Sequence, residues 1–247
     1  MTWKQVYESD AQSLWALVVV PFLVLVRFVV TPPRGPGVEP RAARFVRWWA
    51  VVFAVETIVD PVVTGPGVRW LGLAGGPLAD AVMLPFVLLG DFRVFVLLLV
   101  VAVPDAPVGR TIACAAAWTC VVPLVAWPLT QLLAARHPGL PDGVLWLLYE
   151  TAFAALALGW RAWIVPARVP ATRPGVRAYL RMLCAYAAGY YALWAVADLV
   201  ILAGADVGWG LRLVPNQLYY AFWLPVGAGG FFAARYAPSS TSVQASR

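Results

Sequence analysis

Residues 81–103 read AVMLPFVLLGDFRVFVLLLVVAV, and their only charges are Asp91 and Arg93. A helix needs ~20 apolar residues to cross the hydrocarbon core of a bilayer, and this run supplies them. Other runs approach the same length. Of the 247 residues 62% are apolar and 12% charged, against about 25% charged in an ordinary soluble domain. The chain is therefore read as an all-α integral membrane protein. Apolar runs set against Pro, Gly and charge punctuation predict seven transmembrane helices near 13–31, 44–63, 77–103, 110–133, 143–164, 178–203 and 215–235. Their connections leave no room for a separate soluble domain, so 1–237 is expected to form a single membrane domain and the Ser/Thr-rich 238–247 a flexible tail.

Charge supplies the orientation. An N-terminus outside puts twelve Arg, from Arg34, Arg41 and Arg44 to Arg235 and Arg247, on the cytoplasmic side. Lys4, Arg69, Arg136 and Arg212 fall on the other. By the positive-inside rule this predicts a multi-pass protein of the cell membrane with its C-terminus cytoplasmic. The net charge of +6 is thus a topology signal, and with no basic stripe of interleaved aromatics no nucleic acid is expected. Met1 to Gln12 is acidic, and no small-residue cleavage site follows the apolar stretch 13–30, so the first helix is expected to be retained.

Several chemistries are excluded by residue type. Cys114, Cys120 and Cys184 fall within spans, where a thiol behaves as a small apolar group. His137, the only histidine, sits in a polar turn, which rules out His-based metal sites and Ser-His-Asp triads. No Lys follows Lys4, so a retinal Schiff base within the membrane is impossible. There is no Gly-rich phosphate loop and no paired Asp-rich magnesium motif, and neither cofactor nor metal is expected.

A shift of 134 positions lays 31–49, TPPRGPGVEPRAARFVRWW, over 165–183, VPARVPATRPGVRAYLRML, pairing Pro32 with Pro166, Arg34 with Arg168 and Arg47 with Arg181. With the shift grown to 138–140, Asp60 meets Asp198, Trp70 meets Trp209, Leu84-Pro85 meets Leu224-Pro225 and Gly90 meets Gly230. This predicts a 3+1+3 parallel repeat: repeat one 13–103, a linker helix 110–133 and repeat two 143–235.

Ionisable groups in hydrocarbon cost roughly 2.5–3.5 kcal/mol on insertion scales, so each is a functional candidate by default. Glu56 and Asp60, four apart, share a helix face; Asp91 and Arg93 fall near mid-membrane; Asp198 lies in the sixth helix. Asp80 and Glu150 also read as groups at wet helix ends or paired with other charges. On a straight helix Asp91 and Arg93, two apart, point to different sides and each needs another partner. A carboxylic acid in a dry pocket can hold a proton at neutral pH, which suits general acid catalysis or proton-coupled transport alike.

In one copy the order runs Asp60, Trp70, Pro77-Leu78-Ala79-Asp80; in the other Asp198, Gly208-Trp209, Pro215-Asn216-Gln217-Leu218-Tyr219-Tyr220. This resembles the small membrane-type lycopene cyclase family, whose three-helix repeats carry an Asp, a Gly-x-Trp-like turn and Pro-x-Glu-Glu leading into aromatics. The double Glu is absent from both copies here. The resemblance implies an isomerase of carotenoid or other isoprenoid biosynthesis: a buried acid protonates a double bond, the carbocation closes a ring, and a base removes a proton. It implies Asp60 or Asp198 as the acid and Asp80 or Glu56 as its partner, facing one cavity between the repeats. Trp70, Trp209, Asp91, Arg93, Asn216, Gln217 and Tyr220 would surround a lipophilic substrate.

Two other readings share the same spans. A 3+1+3 transporter would use Pro61, Pro85 and Pro225 as hinges and admit water to its carboxylates from one face at a time. A non-catalytic subunit would pair with a membrane partner or a second copy through an exposed small-residue face around Gly227, Gly229 and Gly230.

Overall fold

The computed structural model describes residues 1–31, 40–74 and 76–236. Among them the chain is helical, with no strand. A short α1 (Trp3–Tyr7) precedes α2 (Val19–Val30), α3 (Pro40–Val62), α4 (Pro77–Ala102), α5 (Val108–Arg136), α6 (Gly143–Gly159), α7 (Pro174–Leu202), α8 (Val207–Asn216) and α9 (Gly230–Tyr236). Six helical stretches are long and apolar enough to cross a membrane: Gln12–Val30, Arg41–Trp70, Ala81–Ala102, Val108–Arg136, Gly143–Arg168 and Pro174–Leu202. The chain is thus a multi-pass membrane protein. The stretch from Val207 to Tyr236 is helical throughout but is not one of the six.

Helix ends follow local chemistry. Pro77 and Pro174 each open a helix, where a missing N–H is harmless and φ is preset. At the end of α7, Gly204 takes φ 83°, its N–H donates to the Ile201 carbonyl, and the Ala205 N–H donates to that of Val200. This paired closure needs a left-handed residue, so the helix stops one turn short of Asp206.

Three expected boundaries move, and prolines account for them. The second helix does not stop at 63 but continues through a widened turn at Val63–Gly67 to Trp70, because i→i+5 bonding tolerates Pro61 and Pro66. The sixth begins at Pro174 instead of 178. Pro215, read as the start of the last helix, lies inside it, and a widened turn at Gln217–Phe222 follows. The aligned prolines therefore differ: Pro77 leads its helix and Pro215 does not.

Neighbouring helices run antiparallel. α7 packs along both α6 and α8, α2 along α3, and α4 against α3 and α5. Every residue from Val94 to Ala102 is buried, so the second half of α4 is the axis of the bundle. Outside it, α5 turns Leu124 and Trp127 outward, 72% and 62% exposed. Of the small residues expected to face a partner, Gly227 is packed against Trp49 and Leu97 and Gly230 against the Tyr179 ring, while Gly229 is exposed. Gly227 and Gly230 serve close internal packing.

Candidate functional site

At one end of the bundle a chamber of about 480 Å³ descends from the amino-terminal segment toward Asp91. Part of its wall is built from places where the helices are irregular. Gln12 and Ser13 come from a widened turn at Gln12–Ala16, Thr64 and Gly65 from Val63–Gly67, and Tyr219 and Tyr220 from Gln217–Phe222. Such turns re-aim side chains by one residue and recur at functional sites. Asp60, Asp91, Glu150, Arg69, Arg212 and Asn216 supply polar groups, and Trp146, Tyr149, Tyr191 and Trp194 supply rings.

Asp91 forms the floor and is 1% exposed. It accepts hydrogen bonds from Tyr149 of α6 and Tyr191 of α7, whose rings flank Phe153. Asp60, on α3, accepts from the Thr64 hydroxyl at 3.1 Å, and the Tyr220 hydroxyl lies beside it. Of the carboxylates that line the chamber, Asp60 and Asp91 are thus dressed by hydroxyl groups and neither is paired directly with a cation, whereas Glu150 is held by Arg212.

Directly behind the wall, Arg93 is fully buried, and both terminal nitrogens of its guanidinium find polar neighbours while its Nε does not. It donates to Thr57 Oγ1 at 2.6 Å and the Tyr219 carbonyl at 2.7 Å, sits 3.5 Å from Glu56, and lies 4.2 Å over the Tyr219 ring. The Trp49 indole donates to its carbonyl. Tyr219 gains this position because α4 carries no side chain at Gly90: a Cβ there would collide with the Tyr219 hydroxyl. Asp91 and Arg93 therefore find separate partners on separate helices, as their spacing requires.

The second charged cluster lies across the chamber. Arg212 reaches Glu150 and Asp198 at 3.1 Å each, with the rings of Tyr7 and Trp209 against its guanidinium. Deeper on the same side, the Trp194 indole donates to Asn216 at 2.8 Å. The mouth is covered by the amino-terminal segment. Asp206 accepts from the backbone N–H groups of Trp3 and Lys4 at 2.7 and 3.2 Å, Trp3 packs over Gly210, Tyr7 meets Trp209, and Asp10 pairs with Arg69.

Of the residues singled out from sequence, Asp60, Asp91, Asn216 and Tyr220 meet on the wall. Glu56 and Arg93 pair with each other behind it. Asp198 does not line the chamber: it is the counter-ion of Arg212, so the expectation that Asp60 and Asp198 share a cavity is not met. Trp70 is 66% exposed on the surface, and Trp209 packs on the amino-terminal helix. Gln217 does not line the wall either. Asp80 opens α4, and its side chain lies outside the described residues, as do the tail 238–247 and the aligned Pro32 and Arg34. Sequence reasoning missed Tyr149, Tyr191 and Tyr219; a tyrosine inside a predicted span was the available signal, since its buried hydroxyl needs a partner.

Among the described residues no three His, Cys, Asp or Glu side chains gather as metal ligands. Compared with protein-family models, curated proteins and solved structures, the chain has no match.

Proposed function

We propose that the chain is a membrane-embedded isomerase of the cyclase type, in which Asp60 protonates a double bond of an isoprenoid or similar lipophilic substrate. The observation that carries this reading is one chamber wall holding two hydroxyl-bonded carboxylates, Asp60 and Asp91, among the rings of Tyr219, Tyr220, Trp146 and Trp194. The proton from Asp60 adds to one alkene carbon, leaving a carbocation that a neighbouring double bond attacks to close a ring. Asp91 then removes a proton from the cyclised cation, and substrate and product are isomers. Aromatic faces stabilise the cation without capturing it. Asp198 is assigned to structure, with Arg212.

This reading takes Val207–Tyr236 as a seventh span, the chamber mouth as the outer face, and helices 13–103 and 143–235 as parallel copies. Supporting the duplication, the aligned pair Gly90 and Gly230 each adjoin a tyrosine ring, Tyr219 and Tyr179. The test is expression in cells that accumulate linear carotenoid and related precursors. A new product of unchanged mass that vanishes in Asp60→Asn is expected. No new product from protein correctly inserted in the membrane would overturn the assignment.

A second reading, proton-coupled uptake of a small polar solute, is favoured by the mouth itself, where Glu8, Gln12, Ser13 and Arg69 line the entrance. It predicts solute accumulation in vesicles driven by a proton gradient and abolished by Asp60→Asn, with no chemical product.

A further inference from the structure

A second cavity, of about 310 Å³, lies at the opposite end of the bundle from the chamber. α3 carries both: Asp60 and Pro61 near its end line the chamber, while Arg41 and Arg44 in its first turns line the second cavity. The two are thus separated by roughly the length of a membrane-spanning helix, about 30 Å. Across from the arginines stand Val100 of α4 and the connection from Val103 that leads into α5.

The lining is divided by chemistry along its length. Arg41 and Arg44 are exposed at the helix end, and among the described residues no carboxylate pairs with either. Asp105, in the adjoining connection, does not line the cavity. Arg47 on the next turn is used differently, donating to the carbonyls of Phe28 and Val29 to fix the end of α2. From Arg41 the wall continues through Phe45 to Trp48, about 10 Å along the helix, and becomes apolar. Trp48 is 55% exposed, a ring at the level where the wall turns from charged to apolar.

We propose that this groove binds an anionic phospholipid, its phosphate held by Arg41 and Arg44 and the start of an acyl chain laid along Phe45, Trp48 and Val100. Charge complementarity selects the headgroup, since two guanidiniums beside a hydrocarbon boundary favour a lipid of net negative charge over a zwitterion, whose ammonium group they repel. The apolar half selects a lipid over a free anion. The assignment is independent of the chemistry in the chamber.

The experiment uses the full chain in mild detergent, titrated with phosphatidylglycerol or phosphatidylcholine, with bound lipid read by native mass spectrometry. Phosphatidylglycerol is expected to be retained in preference to phosphatidylcholine. Arg41→Ala/Arg44→Ala should weaken it by on the order of twentyfold, about fivefold for each arginine near a lipid surface. Arg41→Lys/Arg44→Lys should restore most of the preference, and Arg136→Ala, at the other end of the bundle, should leave it unchanged. Ala106→Phe, which fills the groove and keeps both charges, should also release the lipid. Equal retention of both lipids, or retention unchanged in Arg41→Ala/Arg44→Ala, would overturn the proposal. Displacement of phosphatidylglycerol by an equal concentration of inorganic phosphate would overturn it too, showing a phosphate site instead of a lipid site.

Discussion

Asp60 and Asp198 fall together when the sequence is aligned with itself, yet their surroundings differ. Asp60 is bonded to a threonine hydroxyl on a chamber wall, whereas Asp198 lies behind that wall against Arg212. A carboxylate held by a guanidinium is a counter-ion, and moving its proton or its charge breaks an ion pair. One held only by hydroxyls exchanges a proton at lower cost. The same contrast recurs within α4, where Asp91 is held by two tyrosines and Arg93 takes Glu56 as its counter-ion. Two ion-paired clusters, around Arg93 and Arg212, thus flank the wall on which Asp60 and Asp91 are held by hydroxyls.

The contrast is broken most severely at Arg93. Arg93→Ala leaves Glu56 buried without a cation and strips the Tyr219 carbonyl of its donor, and a loss of ~3–5 kcal/mol in stability is expected. Thermal unfolding in detergent measures it. Arg212 is partly exposed, so Arg212→Ala should cost less, about 2–3 kcal/mol. Replacing the whole cluster, Glu150→Gln/Asp198→Asn/Arg212→Met, should regain most of that loss in the same melt, which isolates the uncompensated charges as the cause. Asp60→Asn, by comparison, should leave the melt nearly unchanged.

Gly90→Ala sharpens the contrast from the packing side. A Cβ at this position displaces Tyr219 from the wall, an overpacking cost of about 1–3 kcal/mol, and substrate turnover should fall while the Arg212 cluster is untouched. A smaller effect is expected for Asp206→Ala. It removes two hydrogen bonds from the amino-terminal helix, about 1 kcal/mol, and limited proteolysis should then cut within residues 1–12 at a faster rate.

Much of the fold was legible because apolar length is a strong signal: the run at 81–103 alone requires a membrane or a deep core, and it became the buried axis of the bundle. Asp91 and Arg93 were legible as candidates for the same reason, since charge stands out in such a run. Their partners were not, because Tyr149, Tyr191 and Tyr219 come from helices far along the chain and periodicity says nothing of which faces meet. The widened turns that aim Thr64 and Tyr220 also escape periodicity, which assumes uniform helices. Arg212 read as a loop charge because Pro215 seemed to begin the helix; with the helix starting at Val207 it faces Glu150 and Asp198 instead. That one misplaced boundary is why Asp198 looked like a free acid.

The central claim is that Asp60, and not its aligned partner, delivers a proton to substrate. The direct measurement is turnover of linear isoprenoid in D₂O by membranes containing the wild type, Asp60→Asn or Asp198→Asn, with product followed by mass. The wild type is expected to give a cyclised product carrying one deuterium, Asp198→Asn the same product in lower yield, and Asp60→Asn none. Product from Asp60→Asn at the wild-type rate, or wild-type product free of deuterium, would contradict the account.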